Sequence, residues 1–389
     1  MSQTKIKSPI NDGVNMKIRN SSLELYRIIT MMLIVAHHYV VNSGLIDIAG
    51  PIYQNPLSFS SIFLLLFGAW GKTGINCFVL ITGYFMCKSQ ITARKFFKLL
   101  FEVEFYKIIF YIVFLISGHT TFSIKSLLKA ILPFTNIATG FIGCYLLFFL
   151  CIPFLNILVH NMNEKQHIRL LLLASFIYIL FGTLPFVSVN MNYVSWFIVI
   201  YFIGSYIRLY PKKLFDKTKL WGFLTLASLL LSAVSVVACA WIGTKLGRNM
   251  AHFFVTDSNT LLAVSNGICS FMFFKNLKIK PNRFINTVAA SAFGVLLIHA
   301  NSDAMRQWLW CDFLNNVKAY YSPYLVLHAV GSVIAIYIIC TVIDIMRIKF
   351  IENPFFVLWN KIWGKVFSWY QKTEDKLCSK LNINDESKS

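Results

Sequence analysis

The sequence predicts an all-α protein, built as a polytopic bundle of helices that cross a membrane. Of the 389 residues, 57% are hydrophobic and only 13% are charged, whereas soluble domains average about 45–50% and 25%. The apolar residues form about ten segments near the length of roughly 20 residues that a helix needs to cross a bilayer. A disordered chain and an ordinary water-soluble protein are both excluded.

The ten predicted spans follow one another with short polar loops between them. Their approximate bounds are 23–42, 71–87, 99–117, 140–159, 169–187, 193–210, 219–243, 259–276, 287–309 and 323–346. A further apolar stretch, Ser58–Trp70, is predicted to form a re-entrant or interfacial helix before the second span. Pro354 predicts that the last helix ends just after Glu352, because proline disfavours the helical conformation of the residue before it.

The basic residues predict the orientation of the chain. The net charge is +20, but the lysines and arginines lie between apolar segments, so the partner they indicate is the lipid bilayer and not a nucleic acid. With ten spans, 27 of the 36 lie on the side of the termini and six on the other side. Basic loops stay in the cytosol, so both termini are predicted to be cytosolic.

This orientation divides the chain into three parts. Residues 1–20 are a polar cytosolic N-terminus, and the first span lacks the cleavage site of a signal peptide, so it should be retained. Residues 21–352 form the transmembrane domain. Residues 353–389 combine aromatic residues with spaced lysines and then become polar, which is typical of a cytosolic interfacial helix followed by a solvated tail.

The nine cysteines do not indicate a metal site. No CxxC pair occurs, and most of the cysteines fall inside apolar runs. They are interpreted as small hydrophobic residues, so neither a metal ion nor a disulfide framework is predicted.

The first span carries the densest set of ionisable residues. At 100° per residue, Glu24, Arg27 and His38 fall on one face of the helix, with Arg27 and His38 about 16 Å apart along its axis. His37 points about 100° away, so the two neighbouring histidines should not play equivalent roles. Ionisable residues inside a bilayer are costly, which makes this stripe a candidate functional site. The structural alternative is that Arg27 reaches the headgroups and His38 bonds a neighbouring helix.

Other ionisable residues have simpler interpretations. His299 stands alone in an apolar run, and by itself it is better explained as a histidine bonded to a neighbouring helix than as a catalytic one. The acidic residues in the third and tenth spans, Glu102, Glu104 and Asp344, are expected to form ion pairs with Lys107 or Arg347.

Five landmarks in order resemble the acyltransferase-3 family of bacterial integral-membrane acyltransferases. Arg27 and His38, separated by ten residues, match the arginine and histidine of its first span, with Glu24 at the place of an acidic residue. The other four matching segments are GINCFVLITGYFM (74–86), WFIVIYFIGSYI (196–207), SAFGVLLIH (291–299) and FIENPF (350–355). The resemblance covers residues 20–358 and includes no appended soluble domain.

The resemblance implies O-acyl transfer, usually of acetyl, to a hydroxyl of a cell-surface glycan or glycolipid in the bacterial cytoplasmic membrane. Such chemistry needs a base for the hydroxyl and a positive group near the developing negative charge. His38 would be the base or a transient acyl carrier, since imidazole titrates near neutral pH. Arg27, oriented by Glu24, would stabilise charge on the donor side, and His299 would line the acceptor side or assist proton transfer.

The implied acyl donor is cytosolic acetyl-CoA or another acyl-CoA. Arg94, Lys95 and Lys98, in the basic loop after the second span, would hold its phosphates, although such a cluster equally suits anionic lipid. Two positions depart from the family pattern, Asn76 where an aspartate is common and Thr82 where a serine is common. Lysines at the loop positions also lose the forked phosphate recognition of arginine.

Two functions from other classes stay open at this point. A transporter or flippase for a lipid-linked glycan would use the same arginine and histidine as a pathway for an anionic headgroup. A structural partner of polysaccharide assembly proteins would tolerate substitution of both residues. Consumption of a thioester would distinguish the enzyme from either.

Overall fold

The computed structural model describes residues 19–132, 140–184, 186–187, 189, 191–360 and 373. Within these residues the chain is helical and contains no strand, which confirms the predicted all-α class. The predicted polar N-terminus, most of the interfacial helix and the C-terminal tail lie outside the described residues. The cytosolic location of both termini therefore stays a prediction.

The helices are numbered here in chain order. The first nine are α1 (Ser21–Val41), α2 (Pro51–Gln54), α3 (Phe59–Phe67), α4 (Gly71–Met86), α5 (Ala93–Ile116), α6 (Ile124–Ile131), α7 (Phe141–Asn161), α8 (Glu164–Ala174) and α9 (Phe181–Thr183). The others are α10 (Tyr193–Leu209), α11 (Thr218–Leu246), α12 (Leu261–Asn276), α13 (Arg283–Ala290), α14 (Ala292–His299), α15 (Asp303–Arg306), α16 (Asn316–Tyr320) and α17 (Leu325–Arg347). Short 3-10 or π segments lie at Lys213–Asp216, Ser175–Leu180, Gln307–Phe313 and Ile348–Glu352.

Local chemistry explains where the long helices begin and end. The side chain of Asn20 accepts hydrogen bonds from the backbone of Ser22 and Leu23, which satisfies two of the free N–H groups at the start of α1. Thr92 caps α5 in the same way. α11 ends at Gly247, whose φ of 62° lies in the left-handed region that terminates helices and that glycine adopts without strain.

α1 is the central helix of the bundle. It packs against α3, α4, α12, α13, α14 and α17, so its ionisable face is enclosed by other helices. α4 packs in turn against α10, where Gly83 and Gly204 face each other. A Cβ atom at Gly83 would lie 2.9 Å from the carbonyl oxygen of Tyr201, so only glycine permits this close approach.

The outward faces of the peripheral helices are apolar. Phe223 on α11 and Leu327 on α17 leave 69% and 72% of their surface exposed. A soluble protein would bury side chains of this size, whereas a membrane protein presents them to lipid. The exposed apolar surface therefore agrees with a protein that crosses the membrane several times.

The predicted count of ten spans is not confirmed. Helices occupy all ten predicted segments, but among the described residues six helices are long and apolar enough to cross a membrane, or seven if one bent pair counts as a span. The six are Ser21–Val41, Phe59–Met86, Phe141–Asn161, Glu164–Thr183, Thr218–Leu246 and Leu325–Asn360. The bent pair, Arg283–His299 and Asp303–Phe313, turns by 93°.

The missing spans have identifiable physical causes. α5 is long enough but carries six charged side chains along its 24 residues. α10 and α12 are apolar but have only 17 and 16 residues, which is at or below the lower limit for a helix that crosses the hydrocarbon core.

Two helix boundaries in the structure also differ from the predicted ones. The stretch expected to be re-entrant forms α3, and a short turn joins it to α4, so that the two make one long helix, Phe59–Met86. Pro354 does not end the last helix, which continues to Asn360. The π segment Ile348–Glu352, where the helical turn is wider, lies just before the proline.

Candidate active site

Two histidines that are far apart in the sequence meet at the centre of the bundle. His38, near the end of α1, and His299, the last residue of α14, approach each other with 2.9 Å between His38 Nδ1 and His299 Nε2. His299 is fully buried, and His38 is half-buried. Both histidines are candidate site residues in the sequence, but their contact could not be predicted, since no spacing rule relates positions on α1 and α14.

The surrounding hydrogen bonds assign the protons on the two rings. His299 Nδ1 lies 2.6 Å from the carbonyl oxygen of Val295, which can only accept, so this nitrogen carries hydrogen. In the neutral ring, Nε2 of His299 is then an acceptor, and His38 Nδ1 donates to it. The remaining nitrogen of neutral His38, Nε2, keeps its lone pair. It has no hydrogen-bond partner within the described part of the chain.

His38 lines a cavity of about 730 Å³. The cavity lies among α1, α4, α5, α6, α7, α10, α14 and α15, and its volume falls in the range of about 300–1,000 Å³ typical of small-molecule sites. Aromatic side chains supply much of its wall, including Phe78, Phe141 and Phe293. A free imidazole nitrogen in such a cavity can take a proton from a bound hydroxyl group.

His37 also lines the cavity, but its ring is held differently. Its Nδ1 donates to the carbonyl oxygen of Gly68 at 2.6 Å, so the two histidines have different partners, as their angular separation predicted. A Cβ atom at Gly71 would lie 2.2 Å from Cγ of His37. Gly71 therefore makes room for the His37 ring at the start of α4.

Arg27 does not reach the histidine pair. It forms an ion pair with Glu24 one turn earlier in α1, with 3.0 Å between Nη1 and Oε2. Arg27 is absent from the wall of the cavity, and eleven residues of helix place it about 16 Å from His38 along the axis. Any role for Arg27 therefore concerns a part of the substrate distant from the atom that His38 contacts.

The predicted phosphate-binding residues lie at the start of α5, away from the cavity. Arg94 is exposed. The amine of Lys95 contacts the Ser89 hydroxyl at 3.0 Å and the Gln90 carbonyl at 2.7 Å. Lys98 forms an ion pair with Glu352, at 2.7 Å. Their binding of a cofactor stays a prediction, and the ion pair gives Lys98 a structural role as well.

A buried ionic network connects α5 to the end of α17. The guanidinium of Arg347 lies 3.1 Å from Glu102, 2.8 Å from Asp344 and 2.6 Å from Glu352, and Tyr106 donates to Asp344 at 2.8 Å. The predicted pairing of the intramembrane acids is thus confirmed for Glu102 and Asp344.

The predicted ion pairing of the intramembrane acids is confirmed for Glu104 as well, since its carboxylate lies 3.4 Å from the amine of Lys107.

Asn76, one of the positions that depart from the family pattern, has a clear structural task. Its amide donates to the carbonyl of Ser258 at 2.7 Å and accepts from the indole of Trp196 at 2.9 Å. An aspartate could accept the second hydrogen bond but could not donate the first.

Several residues of the cavity wall were not predicted from the sequence. Lys72, Lys129 and Arg306 all line the cavity with His38. Lys72 donates to the hydroxyl of Tyr193 at 2.8 Å. The position of Lys72 inside a span was the one available signal, because a lysine there requires a polar environment.

The bundle and its site define a class of protein. A helical membrane protein that holds a free imidazole nitrogen over a cavity is suited to reactions in which a hydroxyl group loses a proton. A family model described as an acyltransferase domain matches residues 20–345, which include Arg27, His38 and His299. The chain therefore belongs to the acyltransferase-3 family, and the predicted resemblance is confirmed. Searches among curated proteins and among solved structures find no match.

Proposed function

We propose that the protein transfers an acyl group, in the simplest case acetyl, from cytosolic acyl-CoA to a hydroxyl of a glycan or glycolipid at the outer face of the bacterial cytoplasmic membrane. Family membership indicates acyltransferase activity in general. The observation that carries the proposal is the lone pair of His38 Nε2, held towards the cavity because His299 occupies the other ring nitrogen. That arrangement suits a general base for a hydroxyl nucleophile.

The reaction can be written with one proton moving twice. His38 Nε2 accepts the proton of the acceptor hydroxyl while the oxygen attacks the thioester carbonyl. When the intermediate collapses, the carbon–sulfur bond breaks, and the protonated His38 returns the proton to the departing thiolate. The products are an O-acyl ester and free CoA, so atoms and charge balance.

His299 acts through His38 and not on the substrate. By accepting the Nδ1 hydrogen at 2.9 Å, it fixes the ring orientation and stabilises the imidazolium formed during transfer. In an alternative within the same proposal, His38 carries the acyl group transiently on Nε2. Arg27 and the basic residues Arg94, Lys95 and Lys98 would act on the distant phosphate end of the donor.

The orientation of the site belongs to the same proposal. With ten spans and cytosolic termini, α1 runs outward, so His38 lies in its outer half and Arg27 in its cytosolic half. The acyl-CoA then meets Arg27 from the cytosol, and the acceptor reaches His38 from the other side.

The test compares cells that express wild type, His38→Ala or no protein, at matched membrane levels. We expect the surface glycan to gain the mass of one acetyl group per site with wild type only, and acyl transfer to fall about 100-fold or more in His38→Ala, because the general base is lost. His119→Ala is the matched control, since His119 is exposed and lies outside the cavity wall.

Other outcomes redirect the interpretation. A different mass increment would identify another acyl donor. A glycan that changes in amount but never in mass would favour the transporter, and acyl transfer at wild-type rate by correctly folded His38→Ala protein would refute the role of His38.

A further inference from the structure

The wall of the cavity around His38 is unusually rich in positive charge. Lys72, Lys107, Lys129 and Arg306 all contribute to it, and the one acidic residue among its described lining residues is Asp303. The side chain of Asp303 is 99% exposed and pairs with Arg306 at 3.1 Å. Lys107 is paired as well, with Glu104 at 3.4 Å, so Lys72 and Lys129 are the cations of this wall that have no carboxylate partner among the described residues.

These cations are not all neutralised by the protein. Lys72 is half-buried within an apolar bundle, and its amine contacts the uncharged hydroxyl of Tyr193 with no carboxylate within ion-pair distance in the described residues. Lys129 on α6 is exposed at the rim. Arg306 has a buried Nε with no partner in the described part of the chain. Keeping the unpaired ammonium of Lys72 in such surroundings is costly unless an anion joins it.

These charges share the cavity with the candidate base, because Lys72, Arg306 and His38 all belong to its wall. Aromatic side chains of the same wall, such as Phe141 and Tyr193, can pack against the C–H face of a sugar ring. A sugar that places a hydroxyl at His38 Nε2 would therefore bring its neighbouring substituents to the cations.

We propose that this cavity is the acceptor site and that it selects a saccharide bearing a negative charge, a carboxylate or a phosphate, close to the hydroxyl that is acylated. The proposal rests on the proposed function, which supplies the acceptor. The distribution of basic loops predicts that Lys129 and Arg306 lie on the outer side, where a cytosolic acyl-CoA would not meet them first. Two cations near one anionic group would form charge-assisted hydrogen bonds.

The experiment measures binding without turnover. The full-length His38→Ala protein in lipid nanodiscs is titrated with three matched probes, methyl β-glucoside, methyl β-glucuronide and glucose 6-phosphate, and binding is followed by saturation-transfer NMR. We expect the two anionic probes to bind at least about tenfold more tightly than the glucoside, and the difference to shrink as salt is added. The tighter of the two anionic probes identifies a carboxylate or a phosphate as the preferred group.

Variants connect the binding to the named residues. Lys72→Gln and Arg306→Gln, each made in the His38→Ala protein, should weaken the anionic probes about tenfold and leave the glucoside unchanged. Lys318→Gln is the matched control, because Lys318 is an exposed lysine predicted on the same side and lies outside the cavity wall.

Several results would overturn the proposal. One is that the glucoside binds as tightly as the anionic probes, and another is that neither anionic probe binds. A third is that Lys318→Gln weakens the anionic probes as much as Lys72→Gln and Arg306→Gln do. Displacement of the glucuronide by desulfo-CoA, with the same dependence on Lys72, would assign the cavity to the donor instead. If anionic probes bind but wild type transfers no acyl group, the proposed function fails and the binding specificity stands. If wild type acylates glycan without any preference in binding, only this inference fails.

Discussion

The position of a single hydrogen atom determines what His38 can do. Because the Val295 carbonyl accepts the hydrogen of His299 Nδ1, His38 Nδ1 donates to His299 Nε2, and His299 Nδ1 donates to the backbone of α14. His38 Nε2 is left as an acceptor that faces the cavity. A reversed order would place a hydrogen there and leave no base, so the backbone of α14 sets the chemistry of a residue on α1.

The positioning role of His299 can be tested by comparing two substitutions. His299→Leu removes the acceptor for His38 Nδ1–H, and we expect kcat to fall about 10- to 100-fold with little change in KM for the acyl donor. His299→Gln offers an amide oxygen to the same hydrogen and should retain more activity than the leucine variant. Acyl transfer is measured on membranes with matched protein levels. Equal activity of the two variants would show that the hydrogen bond is unimportant.

At the level of helices, the contacts of α1 and of α5 explain how the site is held. α1 carries His38 in the centre of the bundle, and α14, which carries His299, packs between α1 and α17. The ionic network at Arg347 fastens α5, which contributes to the cavity wall, to the end of α17. Three carboxylates face Arg347 and Lys98 there, so the contact between α5 and the end of α17 depends on every one of these ion pairs.

Arg347→Ala should therefore destabilise the protein strongly. Its removal leaves Glu102, Asp344 and Glu352 buried beside one another, and breaking a buried ion pair by removing one partner costs about 3–5 kcal/mol. We expect a clear decrease in Tm of the detergent-purified protein. Lys349→Ala is the matched control, because Lys349 lies two residues further on and is exposed. An unchanged Tm in Arg347→Ala would show that the network is dispensable for stability.

For the whole molecule, the asymmetry of basic residues predicts which side of the bundle faces the cytosol. The cavity is lined by residues that follow α5 and α14, on the side predicted to be outer, and the cluster at Lys95 lies on the opposite side. Donor and acceptor would then approach from different aqueous phases, with α1 passing between them. This arrangement requires the predicted topology.

Cysteine labelling tests that topology directly. Lys125→Cys, predicted outside, should react with a membrane-impermeant maleimide on intact spheroplasts, whereas Lys213→Cys, predicted in the cytosol, should react only after permeabilisation. Both positions are exposed, and the wild-type protein gives the background from its native cysteines. Labelling of Lys213→Cys on intact spheroplasts would invert the orientation and exchange the proposed sides of donor and acceptor.

The sequence by itself determined the features that depend on neighbouring residues. Apolar segments and their lengths predicted the all-α class and located helices at all ten predicted segments, and helical periodicity placed Glu24, Arg27 and His38 on one face of α1. The order of short motifs identified the family. These features are local, because hydropathy and the helical repeat act over a few turns of chain.

Only the tertiary structure decided which of these residues meet. The contact of His38 with His299 joins positions 261 residues apart, and the partners of Asn76 and the cations of the cavity come from distant segments of the chain as well. Local rules also failed at Pro354, where the helix continues beyond the proline to Asn360. Which helix faces which depends on how all the apolar surfaces and small residues pack together, and no single segment contains that information.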